Sequence, residues 1–156
     1  MRTDTALAKP PGGENAAARL GYAGLIPFVV SAVLLWHPTW HGLAHASLLA
    51  YAAVILSFLG AVHWGVAMSA AGGAQHRHYA WSVLPALAAW CFVLLPPPYS
   101  LPLLALAFAT WWVQERTLFT RLLPAWYMRL RDRLTLAVVL LLVIVWLAMR
   151  AFPFAG

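Results

Sequence analysis

The chain has 156 residues and a formal net charge of +6; 63% of its residues are hydrophobic and only 9% are charged. This composition, with a mean hydropathy of +0.78, is typical of an integral membrane protein and excludes a separate soluble domain. Because no soluble basic surface is left to hold nucleic acid, we expect no nucleic-acid binding. We assign the positive charge to membrane orientation and to contact with anionic lipid headgroups.

Residues 1–19 precede the first apolar run and are predicted to form a disordered tail. Prolines and glycines fill positions 10–13, and the tail also carries the acids Asp4 and Glu14. The sequence at 44–46 resembles a signal-peptidase site. A long polar stretch precedes the first apolar run, however, so we expect a retained membrane anchor.

Long apolar runs predict helices, because a segment in lipid must satisfy its backbone polar groups internally. About 20 residues cross the hydrocarbon core. The runs that qualify are 20–36, 43–71, 79–95, 101–119 and 134–149. They predict an all-α polytopic membrane protein, a five-transmembrane-helix bundle in one domain over residues 20–150. Pro27 and Pro85 lie inside the first and third runs and are expected to kink those helices.

Residues 124–133 predict an amphipathic interfacial helix that bends into the last span. Pro124 suits the start of a helix. Trp126, Leu130 and Leu134 then recur at spacing four, with arginines on the other faces. The expected membrane-interface anchors are Trp126, Tyr127, Arg129, Arg131 and Arg133.

Lysine and arginine predict the orientation of the bundle, because cytoplasmic loops retain them. Nine of the ten fall in the N-terminal tail and in the second and fourth loops, and only Arg150 falls on the opposite side. We therefore expect the N-terminus in the cytoplasm and the C-terminus outside.

The histidines of the first loop have a spacing that resembles a metal site. His37, His41 and His45 would share one face of a continuous helix. Pro38 and Gly42 interrupt that helix, and no acid lies nearby to orient the imidazoles. Because histidine also suits a membrane interface, we favour that role and expect no metal. The chain has no phosphate loop, dinucleotide fingerprint or hydrolase motif, so we expect neither enzyme activity nor a cofactor.

The most informative polar residues are His63 and Glu115, because each lies inside an apolar run. Both are expected near the cytoplasmic end of their helices, which makes them candidate neighbours. The contact would form either a structural clasp or a proton relay, and Glu115 has Arg19, Arg77 or an arginine of the fourth loop as alternative partners. The candidate functional or structural polar cluster is His63, Trp64, Gln114, Glu115 and Arg116.

Small residues mark the expected helix-packing surfaces, since they let backbones approach closely in lipid. They are Gly21, Gly24, Ser57, Gly60 and Gly65. The single cysteine, Cys91, is interpreted as a small packing residue.

Four stretches together resemble the uncharacterised membrane family filed as domain of unknown function 3429, of bacterial and mitochondrial transmembrane proteins. The stretches are 20–28, 51–65 (YAAVILSFLGAVHWG), 79–90 and 123–135. The string His63-Trp64-Gly65 is the most specific part, and Ala61 stands where the family leads us to expect a second glycine after Gly60. The resemblance implies an energy-transducing inner membrane and no activity. We expect the bacterial inner (cytoplasmic) membrane, in which the orientation given by lysine and arginine places the C-terminus in the periplasm.

Two functional interpretations remain from the sequence. The favoured one is a non-catalytic accessory, assembly or scaffold component of an inner-membrane complex. Its expected partners are membrane lipids and either another membrane protein or a second copy of the chain. The alternative is a small proton-coupled transporter or channel that uses His63 and Glu115.

Overall fold

The computed structural model describes residues 13–69, 76–119 and 123–152, and within these ranges every regular element is a helix. The all-α prediction is therefore confirmed for this part of the chain. The predicted tail up to residue 12, the end of the second predicted span at 70–71 and positions 120–122 of the fourth loop lie outside the described residues. The helices are α1 (Gly13–Ala23), α2 (Ile26–Leu34), α3 (His41–Ser69), α4 (His76–Val93), α5 (Pro97–Gln114), a π-helical segment (Glu115–Phe119) and α6 (Ala125–Ala151).

The first apolar run is broken into two helices. α1 ends at Ala23 and α2 begins at Ile26, with Pro27 in its first turn. A proline ring clashes with the carbonyl four residues earlier, which here belongs to Ala23, so the proline ends α1 rather than bending it. The hydroxyl of Tyr51 donates a hydrogen bond to the carbonyl of Gly24 at 3.0 Å and so satisfies one backbone acceptor at the break.

Two predicted boundaries need correction. α1 begins at Gly13, so residues 13–19 are helical rather than part of a disordered tail. Three consecutive alanines, which have the highest helix propensity, explain the early start. The predicted interfacial helix and the predicted fifth span are one uninterrupted helix, α6, because no proline or glycine separates them.

Three helical stretches are long and apolar enough to cross a membrane. They are Gly13–Leu34, which includes the break, His41–Gly65 and Ala125–Ala151. Tyr79–Val93 is apolar but shorter. The chain is thus a helical membrane protein with three stretches of full spanning length among the described residues.

The core lies where α3 packs against α2, α4 and α5, and where α6 packs against α1, α2 and α5. Helices α5 and α6 form an antiparallel pair that is tied near both ends. At one end the indole of Trp146 donates to the carbonyl of Pro98 at 3.0 Å. At the other end, charged side chains of the two helices meet.

The small residues of the first three helices have different surroundings. A Cβ at Gly60 would overlap with the backbone carbonyl of Ser82, so α3 and α4 touch there through their backbones. Gly21 lies against Leu134 of α6, and a Cβ at Gly24 would be 3.1 Å from the carbonyl oxygen of Gly21. Ser57 is half-buried and donates its hydroxyl proton to the carbonyl of Ala53 in its own helix at 2.8 Å.

Two packing predictions are wrong. A Cβ at Gly65 would meet no atom within 4 Å among the described residues, so this glycine makes no close contact with the described part of another helix. Cys91 is exposed on α4 rather than packed in the core. Small residues occur both on helix faces that pack against a neighbour and on faces that do not, so the sequence pattern alone does not distinguish the two.

Candidate functional site

A carboxylate is buried where α5 changes into the π-helical segment. Glu115 is the first residue of that segment and is only 1% exposed. π-Helical turns are rare and often coincide with functional sites. A buried carboxylate needs a compensating charge and hydrogen-bond donors, and α6 provides both.

Helix α6 carries three polar side chains at spacing four along the face toward this carboxylate, and two of them contact it. Arg131 donates from Nε to Glu115 Oε2 at 2.9 Å, and Tyr127 donates its phenolic proton to Oε1 at 3.2 Å. Arg131 also donates from Nη1 to the hydroxyl of Thr135. Arg131 is itself buried, at 5% exposure, so the ion pair lies almost entirely out of contact with solvent.

Helix α3 contributes His63, which is 1% exposed. Its Nε2 lies 3.8 Å from Glu115 Oε1, so the two residues that the sequence marked as neighbours are neighbours. The ring Nδ1 lies 2.9 Å from the carbonyl oxygen of Leu59. A carbonyl only accepts, so Nδ1 carries a proton, which also fixes the tautomer of a neutral ring. The ring of Trp111 packs edge-on against His63, with the centroids 5.2 Å apart.

We define the buried polar cluster as His63, Glu115, Tyr127, Arg131 and Thr135. It joins α3, the π-helical segment after α5, and α6. The charges of Glu115 and Arg131 cancel. Besides their mutual contact, Tyr127 and His63 hold the carboxylate and Thr135 holds the guanidinium. Chemically, such an arrangement fixes helix register, because shifting any one helix would leave a buried charge without its partner.

Three residues expected in the cluster lie outside it. Trp64 is 44% exposed and packs against Tyr79, with the ring centroids 5.0 Å apart. Gln114 is half-buried and lines a shallow groove between α4 and α5. Arg116 does not contact the members of that cluster in the same way as Glu115, but pairs with Asp132 of α6.

Asp132 forms a second, more exposed ion pair beside the cluster. Its Oδ1 accepts from Trp112 Nε1 at 2.7 Å and from Arg116 Nε at 3.0 Å, and Oδ2 accepts from Arg116 Nη2. The Arg116 side chain is 45% exposed and the Asp132 side chain 26% exposed. Solvent therefore screens this pair far more than the buried one.

Replacing Asp132 by Asn is expected to lower the free energy of unfolding by about 1 kcal/mol or less, because exposed ion pairs contribute little. The measurement is the unfolding transition of the purified protein in detergent. Arg129→Gln, at an exposed arginine one turn away, is the matched control. A loss of about 3–5 kcal/mol, as expected for a buried ion pair, would show that Asp132 belongs to the buried polar cluster.

The five predicted interface anchors have three different surroundings. Arg129 and Arg133 are exposed, as an anchor requires. Arg131 and Tyr127 instead turn inward to Glu115, so their assignment as surface anchors is wrong. Trp126 is half-buried and lines a cavity beside α1.

The first-loop histidines do not converge on one point. His41 Nδ1 donates to the carbonyl oxygen of Leu35 at 2.8 Å, which satisfies an acceptor at the end of α2. His37 is exposed, and His45 is half-buried. Among the described residues, no three His, Cys, Asp or Glu side chains are grouped as metal ligands. The side chains of His76, Arg77 and His78 lie outside the description.

Arg131 is the principal residue that the sequence interpretation misplaced. The signal was present: the buried positions of α6 are Met128, Arg131, Thr135, Val138, Leu142 and Val145, at alternating spacings of three and four. Extending the apolar stripe of the last span backwards through Val138 would have placed Arg131 on the inner face.

Comparisons with known proteins agree with the helical membrane architecture. Transmembrane protein 69 of Xenopus tropicalis is 46% identical over 83 residues, which cover 50% of this chain and 32% of that protein. The chain thus spans about a third of the length of the curated relative it matches. No solved structure matches the chain. The family model described as protein of unknown function DUF3429 matches residues 14–147, and these include every residue of the buried polar cluster, so the chain belongs to this family.

Proposed function

We propose that this protein is a non-catalytic accessory, assembly or scaffold component of an inner-membrane complex. The observation that carries the proposal is the buried polar cluster, whose charges are balanced and whose side chains hold three helices together. A protein that carries protons must exchange them with water on both sides of the membrane. His63 and Glu115 are each 1% exposed, and Glu115 is held by Arg131, which suits a structural clasp better than a relay.

The proposal includes five membrane spans. Three described stretches have full spanning length, and α4 and α5 have 18 residues each. At about 1.5 Å per residue, 18 residues extend about 27 Å, close to the roughly 30 Å of the hydrocarbon core. With five spans, the distribution of lysine and arginine favours a cytoplasmic N-terminus and a periplasmic C-terminus in a bacterial inner membrane.

The proposed partners are membrane lipids and a membrane protein or a second copy of this chain. Helices α2, α4 and α6 carry many exposed apolar side chains that face away from the core, including Val33, Trp90 and Ile144. In a membrane these faces contact lipid or another helix. Purification of the tagged protein from its host in mild detergent identifies what binds to it.

The decisive experiment replaces His63 by Gln in a deletion strain of the host. Gln retains a hydrogen-bonding side chain but does not titrate, so a clasp should survive and a proton relay should not. We expect full complementation at matched membrane abundance, an unchanged set of copurifying proteins, and no proton flux above that of empty liposomes.

His37→Gln is the matched control, because His37 is exposed and distant from the cluster. Loss of complementation by His63→Gln alone, with normal abundance and normal partner binding, would contradict the accessory role. Proton flux in the wild-type protein that disappears in His63→Gln would establish the transporter or channel alternative.

A further inference from the structure

A cavity of about 480 Å³ lies between the α1–α2 segment and helices α3 and α6. Its volume falls in the range of about 300–1,000 Å³ that small-molecule sites occupy. Most of its wall is apolar, formed by side chains such as Phe28, Leu59 and Val138. Apolar cavities of this kind exclude water and take up apolar molecules.

The α1 side of the cavity is loosely packed, although α1 touches α6 at Gly21. None of the residues of α1 is buried, and its contribution to the wall includes the small residues Ala17 and Gly21. Leu20 and Phe58 also line the cavity and are 74% and 63% exposed. In a membrane, these exposed apolar side chains face hydrocarbon, so a lipid chain can enter from the bilayer.

One side of the cavity wall is polar and belongs to the buried polar cluster. Tyr127, Arg131 and Thr135 all line it. Nε and Nη1 of Arg131 donate to Glu115 and Thr135, whereas Nη2 is buried and has no acceptor among the described residues. A buried donor without an acceptor is costly, and a ligand oxygen at this wall would remove that cost.

The charge balance of the buried polar cluster determines whether a charged or an uncharged ligand oxygen can bind beside Arg131. Glu115 already neutralises Arg131 at 2.9 Å, so an anionic ligand would bring a second negative charge next to a buried carboxylate. Such a like-charge contact is strongly unfavourable where water is excluded. An uncharged acceptor, such as a carbonyl oxygen, has no such penalty.

We propose that this cavity binds an uncharged lipid, whose chain fills the apolar part and whose carbonyl oxygen accepts a hydrogen bond from the Arg131 guanidinium. A prenyl-type quinone and a glyceride ester share this chemistry. The proposal requires a membrane setting but does not depend on whether the protein is a scaffold or a carrier.

The test measures the thermal unfolding of the purified full chain in detergent with four probes at equal concentration. Decylubiquinone and dioctanoylglycerol carry uncharged carbonyls, decanoate carries a charge, and decylbenzene has a chain without oxygen. A ligand that binds only the folded state raises the unfolding temperature. We expect an increase of several degrees with at least one carbonyl probe and little change with decanoate or decylbenzene. The larger of the two carbonyl responses identifies the source.

Matched phenylalanine variants of α3 locate the binding site. Val62 lines the cavity, whereas Val54 is 61% exposed and does not line it. Val62→Phe should weaken the apparent affinity for the responding probe at least tenfold, and Val54→Phe should not. If Val62→Phe does not fold, Ala17→Leu fills the cavity from the opposite wall.

An equal increase in unfolding temperature in the wild type and in the cavity-filling variant would overturn the proposal, since the probe would then act through the detergent micelle rather than through the cavity. Equal or stronger stabilisation by decanoate or decylbenzene would also overturn it. So would the absence of any response to both carbonyl probes.

Discussion

Replacement of Glu115 by Gln is expected to lower the free energy of unfolding by about 3–5 kcal/mol, the range seen when one partner of a buried ion pair is removed. The amide has nearly the shape of the carboxylate but leaves Arg131, a residue that is only 5% exposed, without its neutralising charge. The measurement is unfolding in detergent by added denaturant, with helix content followed by circular dichroism.

The double variant Glu115→Leu with Arg131→Met, compared with the two single variants Glu115→Leu and Arg131→Met, tests the origin of this loss. It removes both charges, so it should recover much of the stability that either single change loses. Arg133→Gln, at an exposed arginine of the same helix, is the control and should change little. Strictly additive losses in the double variant would mean that the two charges do not interact.

Replacement of Gly60 by Ala is expected to destabilise the protein by about 2–3 kcal/mol, because inserting atoms into a packed contact forces the backbone to shift. The new Cβ would overlap with the carbonyl of Ser82 and would lie 3.4 Å from Cγ of Pro85. Neither neighbour is the end of a flexible side chain, so α3 and α4 must separate. The same unfolding measurement gives the size of the effect.

Gly65→Ala on the same helix is the matched control. It meets no atom within 4 Å among the described residues and should gain up to about 1 kcal/mol from helix propensity alone. The two substitutions are chemically identical and are expected to have opposite signs. Equal stability of the two variants would show that Gly60 is not a backbone contact.

The sequence predicted the contact between His63 and Glu115 because an ionisable side chain in an apolar run has few allowed surroundings. It did not predict that Arg131 is the main partner of Glu115. An arginine near a helix end is equally compatible with the headgroup region, and charge counting treats all loop arginines alike. Only the three-four pattern of buried positions along α6 separates Arg131 from its exposed neighbours Arg129 and Arg133.

Helix existence was predicted more reliably than helix boundaries. The apolar runs each became helical, but the start of α1 and the continuity of α6 were missed. Both errors came from interpreting polar composition as irregular structure, although alanines at 16–18 and an unbroken run after Pro124 favour helix. The packing of Gly60 and the openness of Gly65 depend on which helix lies opposite, which local sequence does not encode.

The adjacent ion pairs between α5 and α6 have a consequence for how the chain enters the bilayer. Glu115 and Arg116 follow directly on α5, in the π-helical segment, and α5 is not among the three stretches of full spanning length. A charged side chain at the centre of an inserting helix costs about 2.5–3.5 kcal/mol at the translocon, and less near the ends. In the five-span arrangement proposed above, Arg131 and Asp132 of α6 would neutralise both residues, so that α5 and α6 would insert together as one hairpin. We therefore expect α5, which is synthesised first, to remain at the translocon until α6 has been synthesised.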